Sequence, residues 1–120
     1  GCSVAQIQTD RPAAAQELAE RYSCVAVLKG SGTLIAAPGR EMLHNPTGNP
    51  GLARGGSGDV LAGMLAALLA CGLPAYQAAA CAVYLHGAAA DRAAAKRGEY
   101  GMLPHDILPE LGALFAENQR

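Results

Sequence analysis

The chain has 120 residues, which is enough for one small domain with a modest hydrophobic core. Apolar residues make up 51% of it, but aromatic residues only 4%, and tryptophan is absent, so closely packed helices and short aliphatic strands must form the core. The formal net charge is −1 and the sequence has no basic cluster, which argues against nucleic acid or an anionic membrane surface as the main partner and favours a small molecule.

The first part of the chain predicts one helix followed by three short strands. Thr9 and Asp10 supply a helix cap, an early proline follows, and apolar residues recur at helical spacing over 13–22. Aliphatic runs at 24–28, 33–37 and 41–44 are separated by turns that contain glycine or proline, which predicts a β-meander-like unit. The first run is continuous, a pattern typical of a strand covered on both faces.

The second part predicts a loop and three helices. Residues 45–51 contain too many glycines and prolines for any regular element, so we expect a shaped loop there, and such loops often carry function. Helices are predicted over 59–71, from 75 to about 95, and over 104–117, the first closed by a glycine and the others with a proline near the start.

The order of the elements leaves two fold classes open. Strands that come first and helices that follow predict an α+β fold for an isolated chain. The chain begins with glycine rather than methionine, which suggests a fragment, and an upstream part could equally supply the parallel strands of a layered α/β fold.

The cysteines and the longest uncharged stretch bear on the compartment. The cysteines form no C-x-x-C pair and no zinc-like grouping, so buried reduced thiols are expected, as suits a cytoplasmic protein. They are Cys2, Cys24, Cys71 and Cys81. Residues 60–90 carry no Asp, Glu, Lys or Arg, but Gly72-Leu73-Pro74 interrupts them and neither half reaches about twenty strongly apolar residues. A pair of buried helices in a soluble protein without a membrane span is therefore expected.

A glycine run at 55–63 is the strongest chemical signal in the sequence. Its glycines leave backbone N–H groups unshielded, and the helix that follows adds its unpaired amides and the positive end of its dipole, which together favour an anion. Asp59 lies inside this cradle. A carboxylate hinders phosphate binding there, but it can act as a base that takes a proton from a hydroxyl group. The alternative is a plain helix with Asp59 as its cap.

Two common nucleotide motifs are absent from this run. No lysine follows Gly63, as a Walker A loop requires, and Leu61 stands where a dinucleotide fingerprint that starts at Gly56 needs its third glycine. Any nucleotide chemistry here uses another design.

Three motifs in this order carry a resemblance to a known family: residues 27–33, 47–51 and 55–63. They resemble the ADP/ATP-dependent NAD(P)H-hydrate dehydratases of the ribokinase-like superfamily, often labelled YjeF-type carbohydrate kinases, and residues 84–87 and 101–106 resemble that family's next helix and last turn. The family's domain is more than twice this length. The resemblance implies an α/β, ribokinase-like layered fold, of which residues 1–120 are a partial domain, the C-terminal half, with a short β-meander followed by packed helices.

The resemblance also assigns roles to residues. Asp59 matches the family's base-like acid, which contacts the substrate hydroxyl, and Asn49 is expected to contact the substrate as well. The nucleotide is expected at two segments, the turn that holds its AMP part and the anion hole. These residues are Lys29, Gly30, Ser31, Gly32 and Thr33 in the turn, and Gly55, Gly56, Ser57 and Gly58 in the hole.

Other polar residues are assigned less specifically. Asn45 and Thr47 could bind phosphate, water or a metal, although both are also common turn formers. Arg54 stands where a small hydroxyl residue is expected, and its guanidinium could clamp a phosphate or point to solvent. His86 is more simply a core or interface residue, Asp91 and Arg92 a solvated helix face, and Asp106 a cap near the last helix.

The reaction that the resemblance implies is repair of NADHX or NADPHX to NADH or NADPH, with ADP or ATP as phosphoryl donor and Mg²⁺ held mainly by phosphate and water. A homo-oligomer, a tetramer by family habit, is expected. Two rivals stay open: a kinase of the same superfamily acting on a carbohydrate or a hydroxymethyl heterocycle, and a nucleotide-binding or assembly module without catalysis.

Overall fold

The computed structural model describes residues 10–118, and the expectations for Gly1, Cys2 and Thr9 lie outside this range. Four helices and three strands form the described part, joined in places by single turns of 3₁₀ helix. The helices are α1 (Arg11–Tyr22), α2 (Ser57–Ala70), α3 (Ala75–Arg97) and α4 (Ile107–Asn118). The strands are β1 (Ala26–Leu28), β2 (Leu34–Ala36) and β3 (Leu43–His44), and the 3₁₀ turns are Pro50–Leu52 and Pro104–Asp106.

Helix α1 begins and ends as local chemistry requires. The Asp10 carboxylate accepts a hydrogen bond from the Ala13 amide at 3.2 Å, which confirms the predicted start. The helix ends where Ser23 takes a left-handed conformation with φ of 49°. Ala15 and Ala19 are fully buried against the sheet, and their small side chains let the helix lie close to the strands.

The three strands form an antiparallel meander in the order β1-β2-β3, as predicted. Ala26 pairs with Ala36, and Ile35 pairs with Leu43. Strand β1 is packed on both faces, as predicted, because Ala26 and Leu28 lie in a cluster with α1 while Val27 packs in a cluster with Leu61 of α2. The central strand β2 has all three residues buried.

Helices α3 and α4 form most of a hydrophobic cluster separate from the one between α1 and the sheet. Ala89, Ala90 and Ala93 of α3 are almost fully buried against Ile107 and Leu111 of α4. Alanine at the contact positions allows two helices to approach closely, so the alanine-rich composition is used as predicted. No helix within residues 10–118 is long and apolar enough to cross a membrane.

Three expectations about burial and loops are wrong. Helix α3 is buried but α2 is not, because α2 buries only Ser57 and Leu61 within the described part of the chain. Cys24 and Cys71 are exposed, since one lies next to the left-handed end of α1 and the other caps α2, while Cys81 is partly buried. The loop 45–51 also runs into a regular element, the 3₁₀ turn Pro50–Leu52, which the Asn49 side chain caps.

Candidate nucleotide-binding site

One cavity of about 700 Å³ brings most of the predicted site residues together. Its walls are the turn between β1 and β2, the loop after β3, the start of α2 and one side of α3. The predicted residues that line it are Lys29, Gly30, Ser31, Gly32, Thr33, Asn45, Thr47, Asn49, Arg54, Ser57 and Gly58. Gly55, Gly56 and Asp59 are absent from its lining, while His86 and Gly87 of α3, which sequence reasoning did not assign to the site, belong to it.

The turn between β1 and β2 is held from outside by helix α1. The Arg11 guanidinium donates to the Ser31 carbonyl at 2.6 Å and to the Leu28 and Lys29 carbonyls at 3.2 and 3.4 Å. A Cβ on Gly30 would lie 2.9 Å from Arg11 Nη2, and Gly30 has a φ of +149° that suits glycine. Arg11 thus binds the last carbonyl of β1 and two carbonyls of the turn, while residues 29–33 line the cavity.

The loop after β3 is tied to α3 by its own polar side chains. Asn45 Nδ2 donates to the Thr47 and Val83 carbonyls at 3.1 and 3.4 Å, and Thr47 Oγ1 donates to the Tyr84 carbonyl at 2.9 Å. A Cβ on Gly87 would lie 2.7 Å from the Thr47 carbonyl carbon, so only glycine lets the loop lie this close to the helix. Asn45 and Thr47 therefore use much of their hydrogen-bonding capacity inside the protein.

A carboxylate of α3 holds the next part of the same loop. Asp91 accepts from the Gly48 amide at 3.0 Å and from Asn49 Nδ2 at 2.9 Å. Asn49 Oδ1 accepts from the Gly51 amide at 2.9 Å. Asp91 is exposed, as predicted, but its two oxygens also bind the loop. Spacing along the chain gives no signal for this pair, since the partners are more than forty residues apart.

Three further residues for which the sequence predicted a role make hydrogen bonds within the protein. Arg92 pairs with Glu117 through both guanidinium nitrogens rather than facing solvent alone, and this hydrogen bond raises the pKa of Arg92 and lowers the pKa of Glu117. Arg54 lines the cavity, but its Nη2 donates to the Tyr100 carbonyl. Asp106 accepts from the Leu103 amide at 2.7 Å, which confirms the predicted cap.

Helix α2 begins two residues before the predicted start. Its cap is Gly56, with φ of +100° and no side-chain hydrogen bond, so the alternative in which Asp59 caps the helix is wrong. Asp59 lies instead in the first turn, exposed to solvent. The first amide bound within the helix is that of Val60, which donates to the Gly56 carbonyl at 3.2 Å. The preceding Gly58 and Asp59 amides have no acceptor among residues 10–118, as expected at a helix start.

Two side chains at this helix start lack a partner within the described part of the chain. Ser57 is only 5% exposed, lines the cavity, and its Oγ has no hydrogen-bond partner. Lys29 Nζ lies so close to Gly58 that a Cβ there would be 2.6 Å away, and no carboxylate of residues 10–118 pairs with it. A buried hydroxyl, a lysine ammonium and the positive end of a helix dipole thus meet at one point and favour an anion.

His86 connects α3 to this helix start. It is 7% exposed, as predicted for a core residue, and its Nε2 lies 3.1 Å from the Ser57 carbonyl oxygen. Burial lowers the pKa of His86 below its ordinary value of 6.5, the Ser57 hydrogen bond opposes this shift, and the charge of Lys29 adds to it. The imidazole is therefore neutral at pH 7.

Metal chemistry has no dedicated protein site in the described region. No group of three or more His, Cys, Asp or Glu side chains within 10–118 is arranged to hold an ion. A divalent cation that enters the cavity would have to be held mainly by a ligand's phosphate oxygens and water, which is the usual arrangement for Mg²⁺ at nucleotides.

The fold defines the class of protein. The structure aligns with a ribokinase-like superfamily protein from Enterococcus faecalis at a TM-score of 0.79 and 35% identity, over 92% of this chain and 38% of that one. It aligns with the ADP/ATP-dependent NAD(P)H-hydrate dehydratase from Bacillus subtilis, co-crystallised with ATP/Mg²⁺, at a TM-score of 0.89 and 38% identity, over 95% of this chain and 41% of that one. The chain therefore has a ribokinase-like α/β fold, as the resemblance implied.

Sequence comparison narrows this class to a family. The family model for NAD(P)H-hydrate dehydratase matches residues 1–112. The ADP-dependent (S)-NAD(P)H-hydrate dehydratase of Neisseria meningitidis is 46% identical over 110 residues, 91% of this chain and 37% of that protein. The bifunctional NAD(P)H-hydrate repair enzyme Nnr of Vibrio cholerae is 46% identical over 115 residues, 96% of this chain and 23% of that enzyme.

This chain belongs to the NAD(P)H-hydrate dehydratase family. It spans less than half of the length of the relatives it matches. Its correspondence to the C-terminal half of the domain stays a prediction.

Proposed function

We propose that this protein takes part in nucleotide-dependent dehydration of NADHX and NADPHX, with ADP or ATP as the phosphoryl donor. The observation that carries the proposal is the unpartnered, buried Ser57 Oγ in a cavity where Lys29 Nζ lies against Gly58. A hydroxyl, an ammonium and the start of a helix favour a bound anion. The names of the relatives supply the substrate class, since several are called NAD(P)H-hydrate dehydratases.

The transferred phosphoryl group fits the start of α2. The free amides of Gly58 and Asp59 and the positive end of the helix dipole provide donors for phosphate oxygens, and Ser57 Oγ is a further donor. Lys29 adds a positive charge at the same place. Such preorganised donors stabilise the charge that develops on a phosphoryl group in transfer.

The AMP part fits the turn between β1 and β2. Gly30 and Gly32 have no side chain to keep a ligand from the backbone, and Arg11 holds the turn in place from the opposite side. The turn lies on the same cavity as the start of α2, so one nucleotide can contact both segments. Gly55 and Gly56 lie between the cavity-lining residues Arg54 and Ser57, and their proposed role is to shape the approach to α2.

Asp59 is proposed as the base. It stands next to Gly58 in the first turn of α2, is exposed, and no hydrogen bond or ion pair within residues 10–118 engages its carboxylate, so it is available to a substrate. Asp59 would take the proton from the substrate hydroxyl group while the hydroxyl oxygen attacks the terminal phosphorus of the nucleotide. The phosphorus–oxygen bond to the rest of the nucleotide breaks, and ADP or AMP leaves.

The second step releases phosphate. Hydroxide is a poor leaving group, whereas the phosphorylated oxygen leaves readily as the ring nitrogen donates its electron pair. A proton lost from the neighbouring ring carbon then restores the dihydronicotinamide. The products are NADH or NADPH, phosphate, and ADP or AMP. Mg²⁺, held by phosphate and water, would neutralise polyphosphate charge. Asn45, Thr47, Asn49 and Arg54 line the cavity, and contact with the phosphates, water or substrate is their proposed role.

The proposal is tested in a chimera in which these 120 residues replace the matching segment of the Bacillus subtilis dehydratase, with the chain alone assayed beside it. Recovery of nicotinamide absorbance from NADHX, dependent on ADP or ATP, is the expected result. Asp59→Asn should abolish turnover and leave nucleotide affinity within a few-fold. Unchanged turnover in Asp59→Asn would exclude Asp59 as the base.

The same assay separates the rivals. The structural match to a ribokinase-like superfamily protein supports a small-molecule kinase as the second candidate. A stable phosphorylated product without recovered NADH would favour that kinase, and nucleotide binding without turnover in the chimera would favour a non-catalytic module. The expected homo-oligomer, a tetramer by resemblance, is tested separately by light scattering, and the expected cytoplasmic location by cell fractionation.

A further inference from the structure

A buried hydrogen bond joins His86 of α3 to the first residue of α2. His86 Nε2 and the Ser57 carbonyl oxygen are 3.1 Å apart, although the residues are 29 positions apart in the chain. A carbonyl oxygen can only accept, so Nε2 must carry the proton and Nδ1 is the unprotonated nitrogen of the neutral ring. The contact thus fixes one tautomer of the imidazole.

The Ser57 carbonyl and the Gly58 amide belong to the same peptide unit. A trans peptide is planar, and its C=O and N–H point in opposite directions, so a donor that holds the carbonyl also sets the direction of the N–H. The Gly58 amide is one of the helix-start donors without an acceptor in the described residues. A hydrogen bond to the carbonyl also polarises the peptide and strengthens its N–H as a donor.

We propose that His86 is a positioning residue that aims and polarises the Gly58 N–H toward a phosphate in the cavity. The imidazole lines the same cavity and acts through the Ser57–Gly58 peptide, whose carbonyl it holds. The inference rests on the proposed nucleotide site, because it needs a phosphate at the start of α2. It assigns to His86 a role beyond filling the core.

The charge around the ring fits a neutral donor. Lys29 already places a positive charge at Gly58, and the helix dipole adds to it. Burial and Lys29 both lower the pKa of His86, so the ring donates its hydrogen bond without contributing a further charge at pH 7. A lysine or arginine at this position would add a charge where the protein already has two positive features.

Two variants separate positioning from packing. In His86→Gln the side-chain amide can still donate to the Ser57 carbonyl, whereas His86→Met fills similar space without a donor. In the full chain, His86→Met should weaken ATP and ADP binding by about three- to tenfold, as expected when the Gly58 N–H loses its hydrogen bond to phosphate, while His86→Gln stays within about twofold. Adenosine, which has no phosphate, should bind all three proteins alike. Equal ATP affinity of the Gln and Met variants would overturn the inference.

A second measurement works without any ligand. Nitrogen-15 NMR of the wild-type chain should find His86 protonated at Nε2 and unprotonated at Nδ1, and the Gly58 amide proton should move in His86→Met but return toward its wild-type position in His86→Gln. An Nδ1-protonated ring, or a Gly58 signal identical in both variants, would refute the positioning role. A wild-type chain that binds no ATP but passes this NMR test would instead count against the proposed function.

Discussion

Replacement of Gly58 by alanine tests the anion site without damaging the fold. Gly58 lies in the first turn of α2, and a Cβ there would lie 2.6 Å from Lys29 Nζ. Ordinary contact begins at 3.4 Å, so the ammonium must move away. Because the obstructing atom is the end of a flexible, exposed side chain, the protein can adapt by moving Lys29 alone.

The expected effects on stability and binding have opposite signs. Alanine in a helix is favoured over glycine by about 0.5–1 kcal/mol, so Gly58→Ala should not lower the free energy of unfolding. Loss of a charge-assisted hydrogen bond between Lys29 and phosphate should cost about 1.5 kcal/mol of binding free energy. This is the low end of the usual range, because Lys29 is exposed and its charge is screened by solvent. That corresponds to about tenfold weaker ATP binding.

The matched control is Gly63→Ala in the same helix. A Cβ on Gly63 would meet nothing within 4 Å, so this variant should gain similar stability and keep its ATP affinity. Binding is measured by isothermal titration and stability by urea unfolding. If Gly58→Ala and Gly63→Ala bind ATP equally well while Lys29→Met binds it weakly, the reasoning about the displaced ammonium is refuted.

Three further variants test the framework of the site. Gly87→Ala should lower the free energy of unfolding, measured in urea, by about 1–3 kcal/mol, because its Cβ would lie 2.7 Å from the Thr47 carbonyl carbon. Gly112→Ala is the control and should not lower it, because the space around its Cβ is open. Burial lowers the pKa of His86, so the unfolded chain binds more protons than the folded chain just below pH 6.5. The free energy of unfolding should therefore rise with pH through that window, and His86→Gln should flatten the rise. Thermal unfolding at a series of pH values measures this. Asp91→Ala should cost about 1 kcal/mol and speed proteolysis of the loop it binds, with Asp91→Asn intermediate; an unchanged cleavage rate would contradict the clamp.

Local sequence patterns were sufficient for the element types and the motifs. Alternating turn signals and aliphatic runs predicted the meander, and the Asp10 cap and helical spacing predicted α1. The glycine run predicted an anion site at the start of a helix, where bare amides of Gly58 and Asp59 are found. These features depend on neighbours in the chain, so a single sequence contains their signal.

The positions of element ends and the burial of single residues were predicted less well. Buried thiols were expected, but Cys24 and Cys71 are exposed, and α2 has an exposed apolar side within the described part of the chain. Both outcomes depend on which elements lie beside a segment. The apolar composition of a segment gives its tendency to be buried. Only the tertiary packing decides whether another element lies against that segment.

The sequence by itself determined the helices, the meander and the glycine-rich segment from which the family is identified. Tertiary structure alone decided which side chains support that segment: Arg11 holds the turn, Asp91 the loop, and His86 the start of α2. Each of these contacts joins residues 17 to 43 positions apart. Their geometry is set by how the helices pack on the sheet and on each other, and hydrogen-bonding partners at such separations leave no periodic pattern in a single chain.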